Sequence, residues 1–255
     1  RDPAWAGAYL ERLTRMVLRD RNHPCIITWS LGNESSCGPH HAAMAAWARH
    51  ADPTRPVQYE SGNPGPAITD IMVPMYPKLG WVRSVLADPS EKRPLIMCEY
   101  AYAKGNSSGN IRKFWDLVWE LPRFQGGFVW DWSDKSIARR QADGSVRHDY
   151  GVLRHEPPGV ERMCLNGVVG PDREFHPGAL EIKQQQSPVY LAVADLAAGN
   201  LCVHNRHHTL GLDHLELAWR VHDDGITVAE GFAVLPELAP YGTGIVTLPL
   251  PHGIV

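Results

Sequence analysis

Cys25-Ile26-Ile27-Thr28-Trp29 is a short apolar run that stops at Gly32-Asn33-Glu34, and Pro94-Leu95-Ile96-Met97-Cys98 is a second that runs straight into Glu99. Both are bounded by helical text. Upstream, Leu10, Leu13 and Val17 fall at i, i+3 and i+7 and predict a helix that ends before His23-Pro24. A helix is expected through His41–His50, another around Trp81–Leu86, and a third on Ile111, Phe114, Trp115, Val118 and Trp119. Strand-like runs lie between them at Pro56–Tyr59, Ile71–Tyr76 and Gly126–Trp130. Short, continuously apolar strands separated by helices are how a parallel sheet buried on both faces reads.

Five such strands are legible before the pattern changes, whereas a closed (β/α)8 barrel needs eight strands and about 250 residues. Residues 1–186 therefore read as about strands 4–8 of a barrel. An open doubly wound sheet is the alternative, but no Gly-rich phosphate loop opens its first turn. The irregular stretch Asp131–Pro177 follows, with a hairpin signal at Asp143-Gly144, then a last helix over about Gly178–Gln186. After Ser187-Pro188 the apolar period drops to two, at Leu201/Val203, Leu215/Leu217/Trp219/Val221, Ile226/Val228 and Ile245/Val246/Leu248. Residues 187–255 thus predict a small antiparallel β-sandwich of immunoglobulin-like type.

The bulk composition narrows the function classes. Net charge is −3 without a basic block, so no nucleic-acid partner is expected, and no apolar stretch is long enough to span a bilayer. Five scattered cysteines without C-x-x-C spacing suggest free thiols in a reducing, cytoplasmic compartment. Nine tryptophans, several beside turns and strand ends, suit a carbohydrate site as well as a core. The chain opens on Arg1-Asp2-Pro3 as if cut from something longer.

Barrels place catalysis at the carboxyl ends of their strands. Glu34 and Glu99 occupy that position, and a carboxylate entered directly from an apolar run gains nothing for stability. One such Glu can simply open a loop or cap a helix; two on strands of one sheet favour a shared pocket. Two carboxylates across a pocket are what glycoside hydrolysis requires, one protonating the leaving oxygen and the other attacking the anomeric carbon or activating water. Asn33 can donate to a sugar 2-hydroxyl, Tyr76 can bond the nucleophile or pack as an aromatic, and Trp130 can floor the sugar site. Adjacent His40-His41 and His207-His208 diverge on either helix or strand, so neither pair reads as a metal site. Arg139-Arg140 reads as a solvated loop, and Cys98 as a buried packing residue.

Several blocks resemble glycoside hydrolase family two. Arg19-Asp20-Arg21-Asn22-His23-Pro24 and Trp29-Ser30-Leu31-Gly32-Asn33-Glu34-Ser35 resemble its acid/base signature. Pro56-Val57-Gln58-Tyr59-Glu60, Pro74-Met75-Tyr76, Cys98-Glu99-Tyr100-Ala101 with Gly105-Asn106-Ser107, Gln125–Trp132 and Cys164-Leu165-Asn166-Gly167 are similar to its large bacterial β-galactosidases. The resemblance runs in order from about Arg12 to Gln186 and more faintly beyond. It implies a retaining hydrolysis of terminal β-galactosides, with Glu34 as acid/base and Glu99 as nucleophile of a galactosyl-enzyme. It further implies that Asn33 binds the 2-hydroxyl, that Tyr76 contacts Glu99, and that Trp130 is the sugar platform. Asn166 and the Met163 backbone carbonyl are implied as sodium ligands near the 6-hydroxyl, and Glu34 as one ligand of a magnesium whose other ligands lie on a preceding strand. A homo-oligomeric parent is expected as well.

The sequence departs from the family pattern at Tyr102, where a substrate-binding His is usual, at Lys104 and Met163, and in the loop His155–Val160. These departures cluster on the sodium and 6-hydroxyl side, so β-glucuronidase and β-mannosidase chemistry remain the alternatives. So does an idle fragment or carbohydrate-binding module, because the first barrel strands are missing; residues 1–255 alone are expected to turn over little substrate.

Overall fold

A computed structural model describes residues 2–105, 108–150 and 164–251. The chain folds as two compact units, Arg1–Gln185 and Gln186–Val255.

The first unit opens on a short 3-10 turn, Pro3–Trp5, capped by the Asp2 carboxylate accepting from Ala4 N at 2.9 Å. Helix α1 (Ala6–Asp20) buries Leu13 and Val17 on one stripe. Strand β1 (Trp29–Ser30), helix α2 (Pro39–Ala51) and strand β2 (Val57–Gln58) come next. Residues 71–75 follow, then helix α3 (Leu79–Ala87), strand β3 (Leu95–Tyr100), helix α4 (Ile111–Glu120) and strand β4 (Phe124–Val129).

All the pairings among these strands are parallel and run in chain order. Trp29 pairs Val57, Gln58 pairs Ile71, Met75 pairs Glu99, and Leu95 pairs Phe124. A doubly wound sheet reverses its order at a switch point, so sequential order decides against that alternative. Two clusters fill the space between helices and strands. Leu13, Val17, Trp29, Met44, Ala45, Ala48 and Val57 pack α1 and α2 onto β1 and β2. Val82, Leu95, Met97, Ile111, Leu117, Phe124 and Ile182 do the same for α3, α4 and helix α5 (Pro177–Gln185) on β3 and β4. Each fully buried large side chain contributes about 1.5–3 kcal/mol.

Two strands are shorter than the apolar text predicts. The run Cys25–Thr28 is not strand: the Arg55 guanidinium takes the Ile26 carbonyl at 2.7 Å, and Ile27 is exposed, so these backbone groups are withdrawn from the ladder. Residues 71–75 form only isolated bridges, although Met72 N, Ile96 N, Cys98 N and Tyr76 N make alternating bonds between this segment and β3. Pro74 lacks the N–H that a regular two-sided strand would need.

The Asp143-Gly144 signal is a true hairpin of β5 (Ile137–Arg140) and β6 (Val146–Asp149). It corrects the reading of Arg139 as loop: Arg139 lies on β5 and pairs, with Arg147, to the buried Asp149, each at 2.8 Å.

In the second unit, β7 (Val189–Asp195), β8 (Asn200–Asn205) and β11 (Thr243–Thr247) form an antiparallel sheet in the order β11-β8-β7. Strands β9 (Leu217–Asp223) and β10 (Ile226–Ala233) form an antiparallel pair, turned at Asp224 and Gly225, both with positive φ. Val203, Leu212 and Val246 make a small core against which Leu217 and Ala233 also pack. Strand β7 escapes the sequence reading because Tyr190 and Ala192 blur its alternation. Among the described residues no helix is long and apolar enough to cross a membrane.

Candidate active site

Because the strands are parallel, their carboxyl ends form one rim, and the residues that follow β1, β2, segment 71–75, β3 and β4 all belong to it. Glu34 stands exposed on the loop after β1, with Asn33 beside it. Its backbone N–H is bonded to the carboxylate of Glu60, which follows β2. Glu99 is the penultimate residue of β3 and half-buried.

Tyr76 O–H donates to Glu99 Oε2 at 2.7 Å, and Tyr76 N donates to the Glu99 carbonyl at 2.8 Å. Burial first, then the bond to Glu99 and its charge, hold the Tyr76 phenol well above its ordinary pKa, so it stays a donor. Tyr102 meets Tyr76 edge-on with ring centroids 5.9 Å apart, and Asn166 Nδ2 lies 3.4 Å from the Tyr102 hydroxyl.

Asn166 is wholly buried, and its Oδ1 has no hydrogen-bond partner among the described residues. Trp130 is tied to the β3 rim on both sides, donating to the Tyr100 carbonyl at 3.0 Å and accepting from Ala103 N at 2.8 Å. The Lys135 ammonium, paired to Asp131, sits 5.4 Å from the Trp130 ring centroid. Asp131 N reaches the Asn166 carbonyl at 2.6 Å, which joins the two loops.

The structure thus brings Glu99, Tyr76, Tyr102 and Asn166 into one contact chain, with Trp130 on the same rim. Glu34 and Asn33 occupy the β1 sector, three strand steps from Glu99. Cys98 bridges the sectors: burial and then the charges of Glu60 and Glu99 push its thiol up to about 12. Met163 and loop 155–160 lie outside the described residues.

Glu60 is the residue that sequence reasoning missed, although it ends an apolar run just as Glu34 and Glu99 do. His40 and His41 both pack on Tyr9, with ring centroids 5.4 and 5.5 Å away, but differ in their other partners. His41 is buried against Tyr59, with rings stacked at 4.3 Å, while His40 bonds the Asp2 carbonyl. Among the described residues no group of three or more His, Cys, Asp or Glu is placed to hold a metal ion.

Sequentially ordered parallel strands, joined by helices at every step but that from β2 to residues 71–75 and carrying acids on their carboxyl rim, define a domain of the (β/α)-barrel class. The chain belongs to glycosyl hydrolase family 2: residues 1–191 match its TIM barrel domain, and residues 201–253 match domain 4 of β-galactosidase. It is 43% identical over 260 positions to the β-galactosidase of Aeromonas hydrophila subsp. hydrophila, covering 97% of this chain and 25% of that protein. To the β-galactosidase of Photobacterium profundum it is 42% identical over 247 positions, covering 92% and 24%. The chain therefore spans about a quarter of the length of these relatives. A Bacteroides uniformis β-glucuronidase structure superposes with a TM-score of 0.52 at 13% identity, over 98% of this chain and 34% of that one, a likeness of fold alone.

Proposed function

We propose that this chain carries the catalytic rim of a retaining β-galactosidase. The observation that carries the reading is a pair of strand-end acids, Glu34 and Glu99, on one rim of a sequentially parallel sheet, with Tyr76 bonded to Glu99. Glu99 attacks the anomeric carbon as a carboxylate, while Glu34 protonates the departing oxygen; Glu34 then takes a proton from the water that releases the sugar. Tyr76 stays protonated through the cycle and can steady Glu99 before attack and after release. Asn33 meets the 2-hydroxyl, Trp130 floors the ring, and Tyr102 with Asn166 faces the 6-hydroxyl side. A fluorinated galactoside that stalls at the glycosyl-enzyme should label Glu99 by peptide mass; a label elsewhere, or none, defeats the assignment. Tyr102 and the altered loop favour a second reading, another sugar of the same family, and turnover of a nitrophenyl glycoside panel chooses between them.

Asn166 suits sodium, since its buried carbonyl-type oxygen, without a hydrogen-bond partner among the described residues, is the kind of ligand a hard cation takes; Met163, the other ligand the family resemblance implies, lies outside the described residues. For magnesium, Glu34 would supply one ligand and residues of a preceding strand the others, so no step is routed through that ion.

The architecture we propose is about strands 4–8 of a barrel followed by an immunoglobulin-like sandwich, divided near residue 186. Two observations support it. Strand β1 pairs only with β2 among the described residues. A largely apolar groove of about 590 Å³, lined by Tyr9, Leu13, Leu31 and Met44, lies beside it. Residues 1–255 alone should therefore show little turnover, and robust activity of a purified monomer of this length would refute that. Five free cysteines agree with a cytoplasmic setting, and exposed Phe232 and Val234 with a homo-oligomer.

A further inference from the structure

Three consecutive backbone N–H groups on the loop after β1 are each received by a side chain from one tripeptide after β2. Glu34 N donates to the Glu60 carboxylate, Ser35 N to Tyr59 Oη at 3.0 Å, and Ser36 N to Ser61 Oγ at 3.1 Å. Tyr59 returns its single proton to the Ser36 carbonyl at 2.7 Å, which leaves Ser35 Oγ, 2.9 Å away, as donor to the phenol. The anchor is rigid, because Tyr59 is 1% exposed and its ring lies on His41. Contact continues one residue further: a Cβ on Gly62, whose φ is +74°, would fall 2.5 Å from Cys37 N. Residues 34–37 are thus held against residues 59–62 along their whole length. Within the held segment Glu34 and Ser36 adopt φ of 50° and 60°, a left-handed conformation that such residues keep only when their surroundings impose it.

We propose that Tyr59, Glu60 and Ser61 are positioning residues that set the reach of Glu34 toward the leaving oxygen. The proposal rests on the reading of Glu34 as the proton donor. A general acid acts only within hydrogen-bond reach of its target, and these bonds fix the loop that carries Glu34.

The test uses the intact protein and compares kcat/KM on two galactosides. A dinitrophenyl leaving group departs without a proton, whereas an alkyl alcohol needs one. Tyr59→Phe and Glu60→Ala should lose about 100-fold on the alkyl galactoside and less than about threefold on the dinitrophenyl one, as expected when an acid is displaced by about 1 Å. Glu60→Gln, which keeps an acceptor for Glu34 N, should recover most of the loss. Ser61→Ala, whose side chain bears on no core cluster, supplies the same split should Tyr59→Phe fold poorly. Equal losses on both substrates, or no loss on either, overturn the proposal. Glu34→Gln separates the two readings. If it shows the leaving-group split and the Tyr59, Glu60 and Ser61 variants do not, the positioning role alone fails. If Glu34→Gln itself shows no split, the proton-donor assignment fails.

Discussion

Asp52 offers a test of what holds β1, and with it Glu34, in place. Its carboxylate is 7% exposed and accepts four hydrogen bonds. Oδ1 receives Thr54 N at 3.1 Å and Thr54 Oγ1 at 2.5 Å; Oδ2 receives Trp29 Nε1 at 2.9 Å and Arg55 Nη1 at 2.5 Å. Arg55 in turn grips the Ile26 and His23 carbonyls at 2.7 and 3.2 Å, so one acid fixes the approach to β1 and the turn before β2.

Truncation to Ala leaves a buried indole N–H and a guanidinium without their acceptor. Breaking a buried ion pair costs about 3–5 kcal/mol, and Arg55 keeps its two carbonyls, so the low end, about 3 kcal/mol, is expected for Asp52→Ala. Asp52→Asn can turn its amide toward Thr54, whose hydroxyl can accept, and keep an oxygen for Trp29 and Arg55. It loses only the charge and the Thr54 N bond, about 1–2 kcal/mol.

At roughly 2–4 °C per kcal/mol, the Ala variant should melt about 6–12 °C lower and the Asn variant about 2–8 °C lower. Scanning calorimetry, read on the transition that abolishes activity, checks both. The hydrogen bonds from Thr54, Arg55 and Trp29 hold the Asp52 pKa well below its ordinary 3.8. Its stabilisation is therefore complete above that value and fades only as pH falls beneath it, so the gap between wild type and Asn should be flat from pH 7 to pH 5. Equal costs for Asn and Ala, or less than about 1 kcal/mol for both, would refute the network argument.

Tyr76→Phe removes a hydrogen bond to a charged carboxylate, worth about 1.5–3 kcal/mol, so kcat/KM on nitrophenyl galactoside should fall by up to roughly 10- to 150-fold and Tm should fall by a few degrees. A Cβ on Gly167 would lie 2.1 Å from Asp134 N and 2.3 Å from Ser133 C. Gly167→Ala must therefore shift backbone at the Asn166 loop, and should cost at least about 2 kcal/mol in a denaturation curve. With its thiol pushed up to about 12 by burial, Cys98 should resist alkylation at pH 8 while exposed Cys25 reacts, as peptide mapping after a timed pulse would show.

The helices and the order of the strands were legible because their signals are local. Leu13 and Val17 mark one stripe of α1, and Pro94 to Cys98 is apolar without a break. The carboxyl rim was equally legible, since a carboxylate entered from an apolar run is a conflict that packing cannot explain. Interactions between strands were not legible. Nothing near Cys25–Thr28 reveals that Arg55, nearly thirty residues on, will take the Ile26 carbonyl and shorten β1. Arg139 stays solvated as its sequence suggests, but reads as loop until Asp149 is folded beside it across the hairpin. Glu60 obeys the same rule as Glu34 and Glu99, but its partner is a backbone N–H, and backbone donors leave no mark in a sequence.

Backbone strain gathers along the carboxyl rim of the parallel strands. Among the described residues, nine non-glycine positions have positive φ. Asn63, Asn110 and Asp224 are residue types that tolerate that conformation in turns. Of the other six, Glu34, Ser36, Tyr76 and Ala101 all lie just beyond, or next to, the carboxyl ends of the parallel strands, and only Arg173 and Tyr241 lie elsewhere. Each such residue costs about 1–3 kcal/mol, and a glycine at any of them would relieve it. Glycine at position 34 or 76 would also remove the carboxyl or the phenol. At these two positions the strain agrees with the proposed roles of Glu34 and Tyr76, each of which needs its side chain held at a fixed angle over the rim.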